Sequence, residues 1–132
     1  MRILIAEDDF VSRAVLQEIL SPYGICHSAV DGREAVAAFG EALDREEAYD
    51  LVCLDIMMPV MDGQTALREI RKLEAERGIG GSELAKVIMT TALDDPKNIM
   101  QAFLKGHCEG YLIKPISRDA LERELSRLEL IE

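Results

Sequence analysis

A chain of 132 residues, 48% hydrophobic and 30% charged, is long enough for one domain with its own core and too apolar for global disorder. Its net charge of −10, from 25 acids against 15 bases, offers no basic footprint for direct nucleic-acid binding and favours a cation or a basic partner surface. No apolar run approaches the roughly 18–20 residues needed to insert across a bilayer, and Met1–Ala6 runs straight into acids where a signal peptide would continue apolar, so a cytoplasmic location is expected.

Arg2–Ala6 reads as a first buried strand, followed at once by Glu7, Asp8 and Asp9. Three acids at a strand end repel one another unless a cation or a base lies among them. Phe10–Leu20 has helical periodicity and ends at the breakers Ser21-Pro22-Tyr23-Gly24. Ile25–Ala29 is a short second strand; His27 and Ser28 suit a position at or near a sheet edge. Asp31-Gly32 reads as a turn, and Glu34–Glu47 as a second helix with Ala35, Val36, Ala38, Phe39, Ala42 and Leu43 inward. Asp50–Leu54 is a third strand, apolar enough to be buried on both faces, with Asp55 where it emerges. A third helix spans Gly63–Arg77, and Gly78–Ser82 is a loop. Ala85–Thr90 is the fourth strand. Asp94, Asp95 and Pro96 open a fourth helix, with Ile99, Met100, Phe103 and Leu104 on its apolar side and Gly106 as its stop. Tyr111–Ile113 is a very short fifth strand, Lys114-Pro115 follows, and Ser117 caps a last helix running to about Ile131.

Strand and helix thus alternate five times, the pattern of an α/β fold with a doubly wound five-stranded parallel sheet and helices on both faces. The strand order 2-1-3-4-5 would set the first and third strands side by side at the switch point, where such folds place their sites. The first turn has no GxGxxG, and the Walker A pattern is absent, which weighs against the nucleotide-binding relatives of this architecture. Cys26, Cys53 and Cys108 are odd in number and lack CxxC spacing; they read as small buried hydrophobes. His27 and His107 have no partner at metal-ligand spacing and read as structural or surface residues, and Met57, Met58 and Met61 read as local packing.

The strand ends collect Asp8, Asp9, Asp55, Thr90 or Thr91, and Lys114 on one edge of the sheet. Carboxylates of this kind suit a hard divalent cation such as Mg²⁺, which takes oxygen ligands and keeps several waters. A phosphoryl group in transfer needs such a cation, a lysine and a hydroxyl around its oxygens, and aspartate is a known phosphoryl-accepting nucleophile. Taken singly, the acids could be helix caps and Lys114 a surface lysine; together they point to one site.

In this order and at these strand ends, Glu7-Asp8-Asp9, Asp55-Ile-Met-Met-Pro with Asp62-Gly63, Thr91-Ala92 and Lys114-Pro115 make the sequence resemble the receiver domains of two-component signalling, close in size to single-domain chemotaxis-type response regulators. The resemblance covers residues 1–132 and implies a flavodoxin-like fold. It implies that Asp55 is the phosphoacceptor, and that Asp8, Asp9, Asp55 and the carbonyl of Met57 bind Mg²⁺ directly or through water. It also implies that Lys114 contacts the phosphoryl group across a cis bond to Pro115, and that Thr91 and Tyr111 are the coupled switch residues. Thr91 is preferred to Thr90 because alanine follows it. The donor would be a sensor histidine kinase or a phosphotransfer protein. The output would be a downstream protein, or a second copy of the chain, bound through the fourth helix, fifth strand and last helix.

Such a protein modifies and resets itself as a switch, with no conventional turnover. Two features depart from the family or vary within it. Gly106–Gly110 is one residue longer than the usual interval before the aromatic, which should alter the loop ahead of the fifth strand. Apolar Met57 and Leu93 stand at positions that influence the attacking water in the family, so slow hydrolysis is expected, to be accelerated by Met57→Asn with Leu93→Glu. The competing reading is a phosphate-independent interaction module with the same fold; a hydrolase with an aspartyl-phosphate intermediate is disfavoured because Met57 stands where its second acid should be. The last helix leaves no linker to an output domain within these residues.

Overall fold

The computed structural model of the chain describes residues 1–92 and 108–132. Five strands form one parallel sheet: β1 (Arg2–Ala6), β2 (Ile25–Ala29), β3 (Leu51–Asp55), β4 (Lys86–Thr91) and β5 (Gly110–Ile113). Their order is β2-β1-β3-β4-β5, the order expected of a flavodoxin-like fold, and β2 lies at an edge. The described helices are α1 (Phe10–Leu20), α2 (Gly32–Asp44), α3 (Gly63–Glu76) and α4 (Arg118–Arg127). The helix expected from Asp94 to Gly106, together with Leu93 and His107, lies outside the described residues.

Strand alternation sorts the core into two layers. Leu4, Val52, Leu54, Val87 and Met89 pack with Phe39 of α2 and Leu67 and Ile70 of α3. On the opposite face Ile3, Ile5, Leu51, Cys53 and Ile88 pack with Leu16 and Ile19 of α1 and Leu121 and Leu125 of α4. β3 is buried along its whole length, which is why it could read as an unbroken apolar run. Burying a Leu or Ile side chain stabilises the fold by about 1.5–3 kcal/mol each, so these two layers supply most of the driving force. Cys53 and Cys108 are buried thiols, pushed by that burial up to about 12 and about 11. They are unreactive near neutral pH.

Each of the four described α-helices begins at a capping side chain. Asp9 accepts the Ser12 N–H, Asp31 the Glu34 N–H, Asp62 the Thr65 N–H and Ser117 the Ala120 N–H. α2 and α4 differ most from the sequence expectation. α2 starts at Gly32 because Asp31 acts as a cap and not merely as a turn, and it stops at Asp44 as Glu46 takes a φ of 56°. α4 stops at Arg127, with Glu129 at φ 61°.

Candidate functional site

At the carboxyl edge of the sheet, β1 delivers Glu7 and Asp8, β3 delivers Asp55, and β5 delivers Lys114 one residue beyond its end. Register places Ala6 beside Leu54 and Asp55 beside Thr90, so the acids emerge from adjacent strands. Oxygens of Glu7, Asp8 and Asp55 lie within 4.8 Å of one another, the closeness a single cation would demand. Glu7 and Asp55 are buried, and Asp8 is exposed toward solvent. Lys114 Nζ pairs with Glu7 and lies 3.2 Å from Asp55 Oδ2. The Met57 N–H donates to Asp55 Oδ1 at 3.2 Å. The Lys114-Pro115 bond is cis, as the resemblance implies.

The electrostatics are lopsided. Burial, then the hydrogen bond and charge of Glu7, push the Asp55 carboxyl up to about 7, and the opposing pull of Lys114 does not cancel them. For Glu7, burial also works against ionisation, but hydrogen bonds involving Lys114, Asp55 and the Asp9 backbone outweigh it and hold its carboxyl below the usual range. Burial would lower Lys114, yet Glu7 and Asp55 together raise it. One ammonium therefore serves two buried carboxylates, with the Asp8 carboxylate close to both acids. Like charges this close cannot all ionise without a further cation, and all-oxygen donors of this kind fit a hard divalent ion such as Mg²⁺.

Not every expected residue joins this cluster. Asp9 does not: its side chain accepts the Ser12 N–H at 2.8 Å and caps α1, a bond that also holds its carboxyl below the usual range. Glu7 takes the place in the cluster that the sequence reading gave to Asp9. The missed signal was strand phase. Ile3 and Ile5 face the α1 and α4 layer, and Glu7 continues that alternation inward. Thr91 ends β4 as a buried residue, and its carbonyl accepts the Lys114 N–H at 2.7 Å. Tyr111 pairs in register with Met89 and is exposed. His27, read as structural, bonds through Nδ1 to the Tyr49 hydroxyl at 2.7 Å, far from the site.

The loop after Asp55 is held tightly. Gly63 donates its N–H to the Ile56 carbonyl at 2.9 Å, and a Cβ at Gly63 would overlap the carbonyl oxygen of Asp55 itself. Gly32, at the start of α2, donates to the Met61 carbonyl at 3.1 Å, where a Cβ would likewise overlap that oxygen. Between these anchors Val60 has a φ of 69°, unfavourable for a β-branched residue by about 1–2 kcal/mol. Such strain persists where the surroundings over-determine it, commonly beside a site.

A family model for the response regulator receiver domain matches residues 3–126. The chain belongs to that family. This receiver domain is 30% identical over 128 residues to the chemotaxis protein CheY of Bacillus subtilis, an alignment spanning 96% of this chain and 95% of that protein. The CheX-CheY-BeF3-Mg+2 complex from Borrelia burgdorferi contains a chain that matches it with a TM-score of 0.81 at 25% identity, over 100% of this chain and 90% of that one. A chain of the Saccharomyces cerevisiae complex between the histidine phosphotransfer signaling protein Ypd1 and the receiver domain of Ssk1 matches with a TM-score of 0.81 at 27% identity, over 97% and 88% of the two chains. These likenesses establish a flavodoxin-like, chemotaxis-type receiver domain of two-component signalling. No helix among the described residues is long and apolar enough to cross a membrane.

Proposed function

We propose that this receiver domain accepts a phosphoryl group on Asp55 from a sensor histidine kinase or a phosphotransfer protein and thereby switches a partner-binding surface. The observation that carries this reading is a buried aspartate at a strand end, in contact with Lys114 and sharing a tight cluster with Glu7 and Asp8. An Asp55 carboxylate oxygen attacks phosphorus, the P–N bond to the donor imidazole breaks, and the imidazole keeps the electron pair. Lys114 turns from Asp55 toward the transferred oxygens and offsets their charge. Glu7, Asp8 and Asp55, with the carbonyl of Met57, are the groups to hold Mg²⁺. When bound, the ion supplies positive charge to the phosphoryl oxygens and lets the crowded carboxylates ionise together. Exposed apolar side chains near the site, Phe10, Val11, Met57 and Val60, offer a protein donor a surface to press against.

The modified aspartate carries roughly one and a half to two added negative charges. Thr91, at the end of β4, and Tyr111, in β5, respond to it. They bias the face made by the helix expected from Asp94 to Gly106, by β5 and by α4, to which a downstream protein or a second copy binds. The cytoplasm is the compartment for such an exchange, and the acidic net charge leaves direct nucleic-acid binding to others.

The test is intact mass after incubation with acetyl phosphate. The expected result is a Mg²⁺-dependent gain of one phosphoryl group that disappears in Asp55→Asn. A folded protein that binds Mg²⁺ but gains no mass from acetyl phosphate or from a phosphohistidine donor would overturn the reading in favour of a phosphate-independent module.

A further inference from the structure

The cluster has a neighbour that the proposed roles leave idle. Thr90 is the in-register partner of Asp55 on β4. Strand phase sets both side chains on the same face of the sheet: Leu51 and Cys53 lead to Asp55, and Ile88 leads to Thr90, in the layer shared with α1 and α4. Glu7 continues the same phase on β1, so Glu7, Asp55 and Thr90 form a row across three adjacent strands about 4.8 Å apart. Thr91 belongs to the opposite phase, with Val87 and Met89. Thr90 is 1% exposed, and its hydroxyl oxygen has no hydrogen-bond partner among the described residues.

A buried hydroxyl without a partner is rare, because it forfeits its bonds to water and gains none in return. Valine has nearly the same shape and fits a buried strand without that penalty. The retained hydroxyl calls for a state in which it is bonded. Phosphoryl transfer supplies one. Today Asp55 receives donors from Met57 N–H and Lys114 Nζ. Transfer converts one carboxylate oxygen into the bridging oxygen and draws Lys114 toward the phosphoryl group, so the Asp55 carboxyl loses a donor at that moment.

We propose that Thr90 is a positioning residue for Asp55: its hydroxyl, uncommitted in the resting site, donates to the Asp55 carboxyl group as phosphorus arrives and fixes its plane for in-line transfer. This rests on the reading of Asp55 as phosphoacceptor. It adds a second threonine, distinct in place and task from Thr91. Thr91 answers the phosphoryl group from the end of the strand, whereas Thr90 steadies the aspartate from the side.

Three proteins test it: wild type, Thr90→Val and Thr90→Ser. The readouts are Tm, Mg²⁺ affinity, and the rate of mass gain from acetyl phosphate at saturating Mg²⁺. Thr90→Val should raise Tm by roughly 2–6 °C as the orphan hydroxyl goes. It should leave Mg²⁺ affinity unchanged and slow phosphorylation roughly five- to tenfold. Thr90→Ser should restore the rate while lowering Tm. Stability and reactivity moving in opposite directions, with rescue by serine, is a signature that a purely structural threonine would not give. The beryllofluoride-induced rise in Tm at saturating Mg²⁺ gives a readout independent of transfer, and it should be smaller in Thr90→Val than in the other two. A Thr90→Val rate and beryllofluoride response equal to wild type would overturn the Thr90 proposal and leave the phosphoacceptor reading intact. A wild type that takes no phosphoryl group would remove both.

Discussion

The two ends of the sheet both bury charge, and they treat it differently. At the amino end, Arg71 of α3 lies 2.7 Å from Glu74 and forks onto both carboxylate oxygens of Glu109 at 2.9 Å. Glu74 also accepts the Ala85 N–H at 2.8 Å, and Glu109 the Val87 N–H at 2.6 Å. Arg127 reaches the Glu109 carbonyl from α4 at 2.6 Å. In that network one arginine and two backbone donors serve two carboxylates. At the carboxyl end one lysine serves Glu7 and Asp55 with Asp8 close by, and Asp55 rises to about 7. A charge cluster completed by the fold itself holds structure together. A cluster left one cation short is prepared for something that arrives later.

That contrast breaks most visibly at its cations. Arg71→Met should destabilise the fold by about 3–5 kcal/mol in chemical denaturation, because it strands two carboxylates at once. Lys114→Met should cost clearly less, since Asp55 can take a proton near neutrality instead of remaining charged. Equal losses from the two substitutions would show that the ends are alike.

A smaller effect separates Glu7 from Asp9. Glu7→Gln should weaken Mg²⁺ binding by at least about tenfold in a titration. Asp9→Ala should leave the affinity nearly unchanged and cost about 1 kcal/mol of stability through the lost cap. The reverse pattern would return Asp9 to the metal cluster.

Smaller again is the pH dependence of the metal-free protein. Asp55 has a folded pKa raised to about 7 from an ordinary value of 3.8, so the folded state holds a proton that the unfolded chain has lost. Stability from this group therefore falls as pH rises from about 4 through 7. Glu7 is lowered from 4.5 and Lys114 raised from 10.5, so their windows lie outside the neutral range. Between pH 6 and 8 unfolding free energy should drop by about 1 kcal/mol without metal. Saturating Mg²⁺ should flatten or reverse that slope, because it favours the ionised carboxylate; a slope indifferent to Mg²⁺ would separate Asp55 from the metal.

The carboxyl-end site was far more legible in the sequence than the amino-end network, and the reason is local. Each site residue stands at or just beyond the end of an apolar run, so Asp55 and Lys114 could be placed from Leu51–Leu54 and Tyr111–Ile113. The alternation pointed to a parallel sheet, and the order 2-1-3-4-5 was the one expected of a flavodoxin-like arrangement. Within the acid triplet, composition alone did not distinguish Glu7 from Asp9. Counting phase from Ile3 and Ile5 would have done so. The same counting separates Thr90 from Thr91, which the doubled threonine blurs. The Arg71 network left no such trace. Arg71 and Glu109 meet only because α3 and the segment ahead of β5 pack on the same end of β4. In the sequence Arg71 is one charge among many between Glu69 and Arg77, with nothing to mark it out.

The glycine at position 63 has a mechanical consequence. No side chain separates the first residue of α3 from the carbonyl of Asp55, and no side chain separates the first residue of α2 from the carbonyl of Met61. Side chains can absorb a small displacement by changing rotamer; two backbones in direct contact have no such slack. A shift of the Asp55 main chain is therefore passed to α3 with no side chain to damp it, and a shift of Met61 is passed to α2 in the same way.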